Sequence, residues 1–217
     1  SHSIRHFTDN REIIENPPTM EEAMDALGIL QAEGKIRYIG VSNFSSRLLR
    51  DLPLEKITAN ELPYNLFCRA AEYDALPFCE ETGVAVIGYM TLLQGLLADI
   101  HPSLKHIPVW QRRTRHFNAE GVAECRHGED GVEDETNEAL NGIRYICKET
   151  GLSMPEIAIK WILENRAITC SLVGSRNVSE LELNVKSAEG SLNKQIKETL
   201  DRITFPIKEK LGNHMDY

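Results

Sequence analysis

Apolar residues follow two different spacings along the chain, and their alternation predicts a repeated strand–helix fold. Short runs rich in β-branched residues are each followed by a stretch in which apolar residues recur every three or four positions. The first pattern is typical of buried strands and the second of amphipathic helices. The predicted strands cover residues 36–41, 57–61, 84–89 and 167–173, with a weaker fifth at residues 3–6. Uninterrupted alternation of this kind favours a parallel α/β sheet.

Start and stop signals accompany the predicted helices. Thr19 and Glu22 have the spacing of a capping box, and Gly34 follows the last helical position. The predicted helices cover residues 19–33, 47–49, 71–81, 135–150, 153–164, 179–188 and 193–203. Because residues 84–89 are apolar throughout, we expect helices to cover both faces of that strand.

One long segment interrupts the alternation. Residues 94–134 contain two prolines, an acidic turn at 127–131 and a basic cluster of Arg112, Arg113, Arg115 and His116. A loop of about forty residues inside a domain is usually a lid or a binding loop. The basic cluster is therefore interpreted in two ways, as a cover over an anionic ligand or as a solvated loop surface.

Serial strand–helix units fit either a (β/α) barrel or a doubly wound sheet. A doubly wound dinucleotide fold opens with a strand and a Gly-rich turn, and no G-x-G-x-x-G occurs in the sequence. We therefore predict a (β/α)8 TIM barrel that forms a single domain over residues 1–217. A complete barrel typically needs about 250 residues. We expect an incomplete barrel that holds about strands 4–8.

Composition and charge narrow the function further. The 217 residues carry 24 Lys and Arg against 33 Asp and Glu, a net charge of -9, which repels a nucleic-acid backbone. No window has the apolar length of a membrane helix, and the first residues lack a signal-peptide pattern. The five cysteines have neither C-x-x-C nor zinc-finger spacing, so we expect reduced thiols, no metal and a cytoplasmic location. Nothing in the pattern predicts an oligomeric state.

Four motifs, in order along the chain, resemble the aldo-keto reductase family. Residues 34–44 read GKIRYIGVSNF and closely resemble a family signature, and residues 60–67 (NELPYNLF) resemble its next strand end. Residues 86–89, with 94–97, are similar to the family's aromatic strand and the loop after it. Residues 173–184 resemble its cofactor-phosphate segment.

This resemblance implies an oxidoreductase that reduces aldehydes or ketones to alcohols by hydride transfer from NAD(P)H, without a metal. The family's catalytic groups are an Asp, a Tyr, a Lys and a His. Among these, we match the histidine to His6, although an exposed histidine near a terminus is the alternative. No segment of the chain matches the other three, so we expect no turnover from these residues alone. The competing hypotheses are a non-catalytic nucleotide-sensing or regulatory protein and an inactive truncated fragment.

The resemblance also implies how the nicotinamide would be held. Ser42 and Asn43 match the residues that bind its carboxamide, and Tyr89 matches the aromatic residue that stacks on its ring. The alternatives are a polar turn for the first two and a buried structural tyrosine for the third. Carboxyl ends of strands are where barrel enzymes keep their chemistry.

Four residues at three places in the chain depart from the family pattern. Glu61 stands where the family usually has Gln, and a carboxylate only accepts hydrogen bonds whereas an amide also donates. Met90-Thr91 replaces a commoner Ser-Pro, and Leu183 replaces an acidic residue. The Met90-Thr91 change affects the geometry of the pyrophosphate loop, whereas Leu183 lies beside Asn184, which matches a contact on the adenine side.

The segment that joins the last predicted strand to a helix N-terminus suits a phosphate, because the helix presents unpaired N–H groups there. Ser175 and Arg176 add a hydroxyl and a guanidinium, which favours the 2′-phosphate of NADP, although an arginine at a helix start is unremarkable by itself. The predicted cofactor is therefore NADP (NADPH). The cofactor-binding candidates are Ser42, Asn43, Glu61, Tyr89, Gln94, Gly95, Gly174, Ser175, Arg176, Asn177, Glu180 and Asn184.

Overall fold

A computed structural model describes residues 18–120, 122, 125 and 127–214, and the chain divides after Ile39 into two units. The first unit contains α1 (Met20–Ala32). The Glu22 carboxylate accepts a hydrogen bond from the Thr19 backbone N–H at 2.7 Å, and the Thr19 hydroxyl accepts one from the Glu22 N–H at 3.1 Å. The predicted capping box is confirmed.

Four strands form one sheet in the order β1–β2–β3–β4, which is also their order in the chain. They are β1 (Ile39–Ser42), β2 (Ile57–Pro63), β3 (Ala85–Tyr89) and β4 (Cys170–Ser171). β2 pairs with β3 and β3 with β4 in parallel, so their carboxyl ends meet at one edge. All four clear strands predicted from the sequence are present. The fourth is shorter than predicted, although the Thr169 and Leu172 N–H groups continue its hydrogen bonding to β3.

In the described part of the second unit, six α-helices connect or follow these strands. They are α2 (Ser46–Arg50), α3 (Ala75–Thr82), α4 (Glu133–Thr150), α5 (Met154–Leu163), α6 (Val178–Ser187) and α7 (Lys194–Leu211). The helix predicted at residues 71–81 is divided into a 3-10 turn, Ala70–Tyr73, and α3, because Asp74 leaves the helical conformation. α7 continues beyond the predicted residue 203 through Pro206, and buried Ile207 and Leu211 lie in this extension.

β3 is buried on one face only within the described part of the chain. Val86 and Gly88 are buried, whereas Ala85, Ile87 and Tyr89 are half-buried. A Cβ atom at Gly88 would lie 2.8 Å from Ile162 Cδ1, so α5 approaches the buried face closely. The expectation that helices cover both faces was wrong for these residues, because apolar composition does not identify which face is packed.

A cluster of one buried and two half-buried charges joins α7 to the segment after β2. The Arg69 side chain, 9% exposed, donates to both carboxylate oxygens of Glu72 at 2.8 and 3.0 Å. Lys208 of α7 donates to the same carboxylate at 2.7 Å, as does the Tyr64 hydroxyl. Burial opposes ionisation of Glu72, but these hydrogen bonds outweigh it and hold its pKa below the ordinary value.

We predict that Glu72→Gln lowers the free energy of unfolding by about 3–5 kcal/mol at neutral pH, because it removes the carboxylate that the buried Arg69 and the half-buried Lys208 share. A depressed pKa in the folded state stabilises the protein above the unfolded pKa of about 4.3, and this contribution disappears as the pH falls through the folded pKa. The difference between the two proteins should therefore shrink in acid. Urea unfolding over a pH series measures both effects.

Glu198→Gln is the matched control on α7. Its carboxylate lies 3.8 Å from Lys194 Nζ, and both side chains are largely exposed. Exposed pairs are worth about 0–1 kcal/mol. Equal losses in the two variants would contradict a stabilising role for the charge cluster around Glu72.

Candidate functional site

Four of the predicted cofactor residues lie together at the carboxyl ends of β1, β2 and β3. The Glu61 backbone carbonyl accepts hydrogen bonds from the Asn43 N–H at 2.9 Å and from the Ser42 hydroxyl at 3.3 Å. The Tyr89 hydroxyl donates to Asn43 Oδ1 at 3.0 Å. The structure therefore brings these four residues to one edge of the sheet, as the parallel topology predicts.

Tyr89 is the aromatic group of this cluster. Burial raises its pKa above the ordinary value of 10, and the hydrogen bond to Asn43 only partly offsets this. The phenol is therefore neutral at physiological pH and acts as a donor toward the amide. Its half-buried ring provides an apolar surface beside polar groups, which is the combination that a flat, partly polar ring requires.

Two buried asparagines that sequence reasoning missed support the cluster. The Asn60 amide donates to the Phe44 carbonyl at 2.8 Å and accepts from the Phe44 N–H at 3.3 Å, which fixes the turn after β1. Asn65 donates to the Met90 carbonyl at 2.9 Å and so fixes the turn after β3. The sequence signal that could have identified them is their position, since Asn60 lies inside the strand β2 and Asn65 follows shortly after it.

The loop after β3 has an unusual backbone. Met90, Leu93 and Gln94 all have positive φ angles, of 58°, 42° and 53°. Such conformations cost about 1–3 kcal/mol each for residues other than glycine and tend to cluster at functional sites. Gly95 follows with φ 97°, where a glycine is needed. Gln94 itself is exposed and available to a ligand.

Thr91 holds this loop against β4. Its buried hydroxyl donates to the Leu172 carbonyl at 2.9 Å and shares a hydrogen bond of 2.6 Å with the Ser171 hydroxyl. The threonine that departs from the family pattern therefore connects the ends of two strands. This replacement keeps the loop fixed by hydrogen bonds.

The second group of predicted residues surrounds the N-terminus of α6: Gly174, Ser175, Arg176, Asn177, Glu180 and Asn184. Asn177 caps the helix by accepting from the Glu180 N–H at 2.9 Å. Asn184 donates to the Ser175 hydroxyl at 3.0 Å, which closes the turn onto the helix. The Arg176 side chain is 73% exposed and pairs with Glu180, with Nη2 and Oε1 2.8 Å apart.

The basic cluster of the long loop has internal partners. Arg112 donates to the carbonyls of Ile107 and Lys105 at 2.8 and 2.9 Å. Arg115 is buried and pairs with Glu129 at 2.9 Å. Both side chains therefore stabilise the loop itself. The solvated interpretation is wrong for Arg115, which is buried. Neither guanidinium points its donors at a ligand, because both are bonded within the loop.

Cys68 and His116 form a buried contact that the sequence did not suggest, with Sγ and Nε2 4.0 Å apart. Burial raises the pKa of Cys68 to about 12 and lowers that of His116 to about 4. Both groups are neutral at physiological pH, so the pair lacks the thiolate that a nucleophile requires.

Other chemistry is limited within the described residues. No group of three or more His, Cys, Asp or Glu side chains there is arranged to hold a metal ion. No helix in that part of the chain has the length and apolar character to cross a membrane. His6 and the strand predicted at residues 3–6 lie outside the described residues.

The chain is similar in sequence to known proteins. The sequence matches the Aldo/keto reductase family over residues 1–204. It is 28% identical to the uncharacterized oxidoreductase YrpG of Bacillus subtilis (strain 168), over 86% of this chain and 54% of that protein. It is 26% identical to the NADH-specific methylglyoxal reductase of Escherichia coli (strain K12), over 83% of this chain and 55% of that protein. The chain thus spans about half the length of the curated relatives it matches.

Solved structures support the predicted fold. The glycerol dehydrogenase AKR11B4 from Gluconobacter oxydans superposes with a TM-score of 0.66 at 25% identity, over 92% of this chain and 58% of that one. The thermostable aldo-keto reductase Tm1743, solved with the inhibitor epalrestat, gives 0.61 at 25% identity, over 87% and 56%. The fold is therefore of the aldo-keto reductase TIM-barrel type.

The different burial of the cysteines predicts selective thiol chemistry. In the native protein a disulfide reagent should modify the exposed Cys170 readily, and Cys68 and Cys79 only after unfolding, because both are buried and protonated. Thiol titration with and without urea measures this, and Cys170→Ser should remove the most accessible thiol. Rapid modification of Cys68 in the folded protein would contradict its assignment as inert.

Proposed function

Because the chain belongs to the aldo/keto reductase family, we propose that the protein reduces an aldehyde or ketone to an alcohol by hydride transfer, with a preference for NADPH. The family acts on small-molecule carbonyl compounds with a nicotinamide cofactor. The observation that carries the proposal is the cluster of Ser42, Asn43, Glu61 and Tyr89 at the carboxyl edge of the sheet. This is the edge where barrel enzymes hold their reacting groups.

The donors and acceptors at this edge fit a nicotinamide. A carboxamide has one carbonyl acceptor and an NH2 group with two donors. Ser42 and Asn43 offer a hydroxyl and an amide to it, and the Glu61 carboxylate can accept from the NH2 group. The Tyr89 ring would lie against the nicotinamide face. When bound, the cofactor supplies the hydride.

The N-terminus of α6 fits the other end of the cofactor. Its unpaired N–H groups and dipole favour a phosphate, and Arg176 is the exposed cation beside them. We place the 2′-phosphate of NADP against Arg176 and Ser175. We assign the contact with the pyrophosphate to the turn at Gln94 and Gly95, and the exposed Gln94 with its positive φ supports this assignment.

The remaining assignments rest on the resemblance and on composition. We assign the orientation of the substrate carbonyl to His6. We propose a cytoplasmic location, since all five cysteines are unpaired thiols. A single barrel domain over residues 1–217 also stays a proposal.

The test has two parts. The complete protein is assayed for reduction of a panel of aldehydes, with the loss of NADPH absorbance as the readout, and NADPH binding is measured by direct titration. Turnover with saturable cofactor binding supports the proposal. Tight NADPH binding without turnover would favour the nucleotide-sensing alternative, and the absence of binding would overturn the cofactor assignment.

Glu61→Gln should change the preference between the two redox forms of the cofactor. A carboxylate close to the nicotinamide favours the cationic oxidised ring. The selectivity of the variant for NADP+ over NADPH should therefore be about fivefold lower than that of the wild type. The ratio of the two dissociation constants measures this. Glu55→Gln, on the exposed turn before β2, removes the same charge at the other end of the strand and should leave the ratio unchanged. An identical ratio in wild type and Glu61→Gln would place the carboxylate away from the ring.

Arg176→Ala should weaken NADPH binding roughly ten- to a hundredfold, because hydrogen bonds to charged groups are worth about 1.5–3 kcal/mol. NADH binding should change little, since that cofactor presents only a ribose hydroxyl at this point. Paired titrations at one stated salt concentration measure the difference. Lys186→Ala, in the last turn of α6, removes the same charge and should affect neither cofactor. Equal losses of both cofactors in Arg176→Ala would mean that the arginine shapes the turn.

A further inference from the structure

The guanidinium of Arg176 already has an anion of the protein's own, the carboxylate of Glu180. Arg176 Nη2 donates to Glu180 Oε1 at 2.8 Å, and Nε donates to the same oxygen at 3.1 Å. The backbone N–H of Arg176 donates to the second carboxylate oxygen, Oε2, at 2.8 Å. One carboxylate therefore uses both the side-chain and the main-chain donors of this residue.

These are the donors that a phosphate at this position needs. A phosphate dianion that binds Arg176 must displace the carboxylate or remain beside it, and in either case two like charges meet at short range. The ribose of NAD carries no charge there. Its 2′-hydroxyl can donate to a carboxylate, which is how acidic residues hold that ribose in other dinucleotide sites.

We infer that Glu180 is a specificity-determining residue: it competes with the 2′-phosphate for Arg176, accepts a hydrogen bond from the unphosphorylated ribose, and so allows both NADPH and NADH to be used. This inference rests on the proposed function, because it requires that a nicotinamide dinucleotide binds at α6. In this arrangement Arg176 attracts the 2′-phosphate, and Glu180 weakens that attraction by pairing with the same guanidinium.

Glu180 is not the side-chain cap of α6, although its carboxylate accepts from the Arg176 backbone N–H. Asn177 provides the side-chain cap of α6, and Asn184 closes the turn through Ser175, so neither contact uses the Glu180 carboxylate. The Glu180 side chain is 31% exposed, which leaves it room to turn away from Arg176. The hydrogen bond from Arg176 lowers the pKa of Glu180, so the carboxylate is charged at neutral pH.

The alternative role for Glu180 is to hold the arginine in a binding conformation. The two roles have opposite consequences for NADPH. Removal of a competitor tightens NADPH binding selectively, whereas loss of a support weakens it. Glu180→Gln separates them, because the amide oxygen can still accept from the Arg176 N–H while the negative charge is gone.

The experiment titrates NADPH and NADH into the complete wild-type protein and into Glu180→Gln, at low and at high salt. We expect NADPH to bind on the order of five- to tenfold more tightly in the variant, and NADH to bind equally or slightly less tightly. High salt should reduce the gain, because the repulsion is between exposed charges. Glu182→Gln, an exposed carboxylate of the same helix, is the matched control and should leave both affinities unchanged.

Each other result overturns the inference. Equal weakening of both cofactors in Glu180→Gln would assign the carboxylate to the shape of the turn. Unchanged affinities, or the same gain in Glu182→Gln, would remove any specific competition. Failure of the wild-type protein to bind either cofactor would overturn the proposed function together with this inference, whereas binding with an unchanged ratio would overturn the inference alone.

Discussion

Parallel hydrogen bonding between neighbouring strands is the constraint on which the rest of the structure depends. The register places Glu61, Ile87 and Cys170 at the same level of the sheet. The pairing continues beyond the strand ends, since the Asn43 N–H bonds to the Glu61 carbonyl and the Tyr64 N–H to the Tyr89 carbonyl. The register therefore fixes where each turn begins relative to the neighbouring strands. Polar residues that are distant in sequence become neighbours because a parallel sheet has no other place for the carboxyl ends of its strands.

Buried hydrogen bonds then fix the turns at that edge. A buried amide or hydroxyl without a partner costs about 1–3 kcal/mol, so Asn60, Asn65 and Thr91 favour the one turn geometry that satisfies them. This stabilisation is comparable with the cost of the left-handed backbone at Met90 and Leu93. The strained turn after β3 persists because its neighbours determine its shape. Such a turn presents its N–H and C=O groups in a fixed arrangement.

The sequence predicted those features that are encoded locally. Periodicity located the strands and most helices, and the cap formed by Thr19 and Glu22 is visible in four residues. The ordered motifs predicted the family and the barrel type. Features without a local apolar pattern were missed: the break at Asp74 between the 3-10 turn and α3, the one-sided burial of β3, and the contact between Cys68 and His116, 48 residues apart. The internal partners of Arg112 and Arg115 were also invisible, because a basic cluster has the same composition whether its charges face a ligand or the loop that carries them.

Charge at the α6 turn shows why local geometry dominates composition in this protein. A chain with a net charge of -9 repels an anionic dinucleotide at long range. Beyond about 8–10 Å, however, salt screens most of that repulsion, so discrimination between two cofactors must arise from groups in direct contact. Arg176 and the helix N-terminus provide local attraction for a phosphate, and Glu180 lies within hydrogen-bond distance of the same guanidinium. Because both charges lie inside the screening length, the competition proposed between Glu180 and a 2′-phosphate would depend on this direct contact, and the total charge of the chain would have little influence on it.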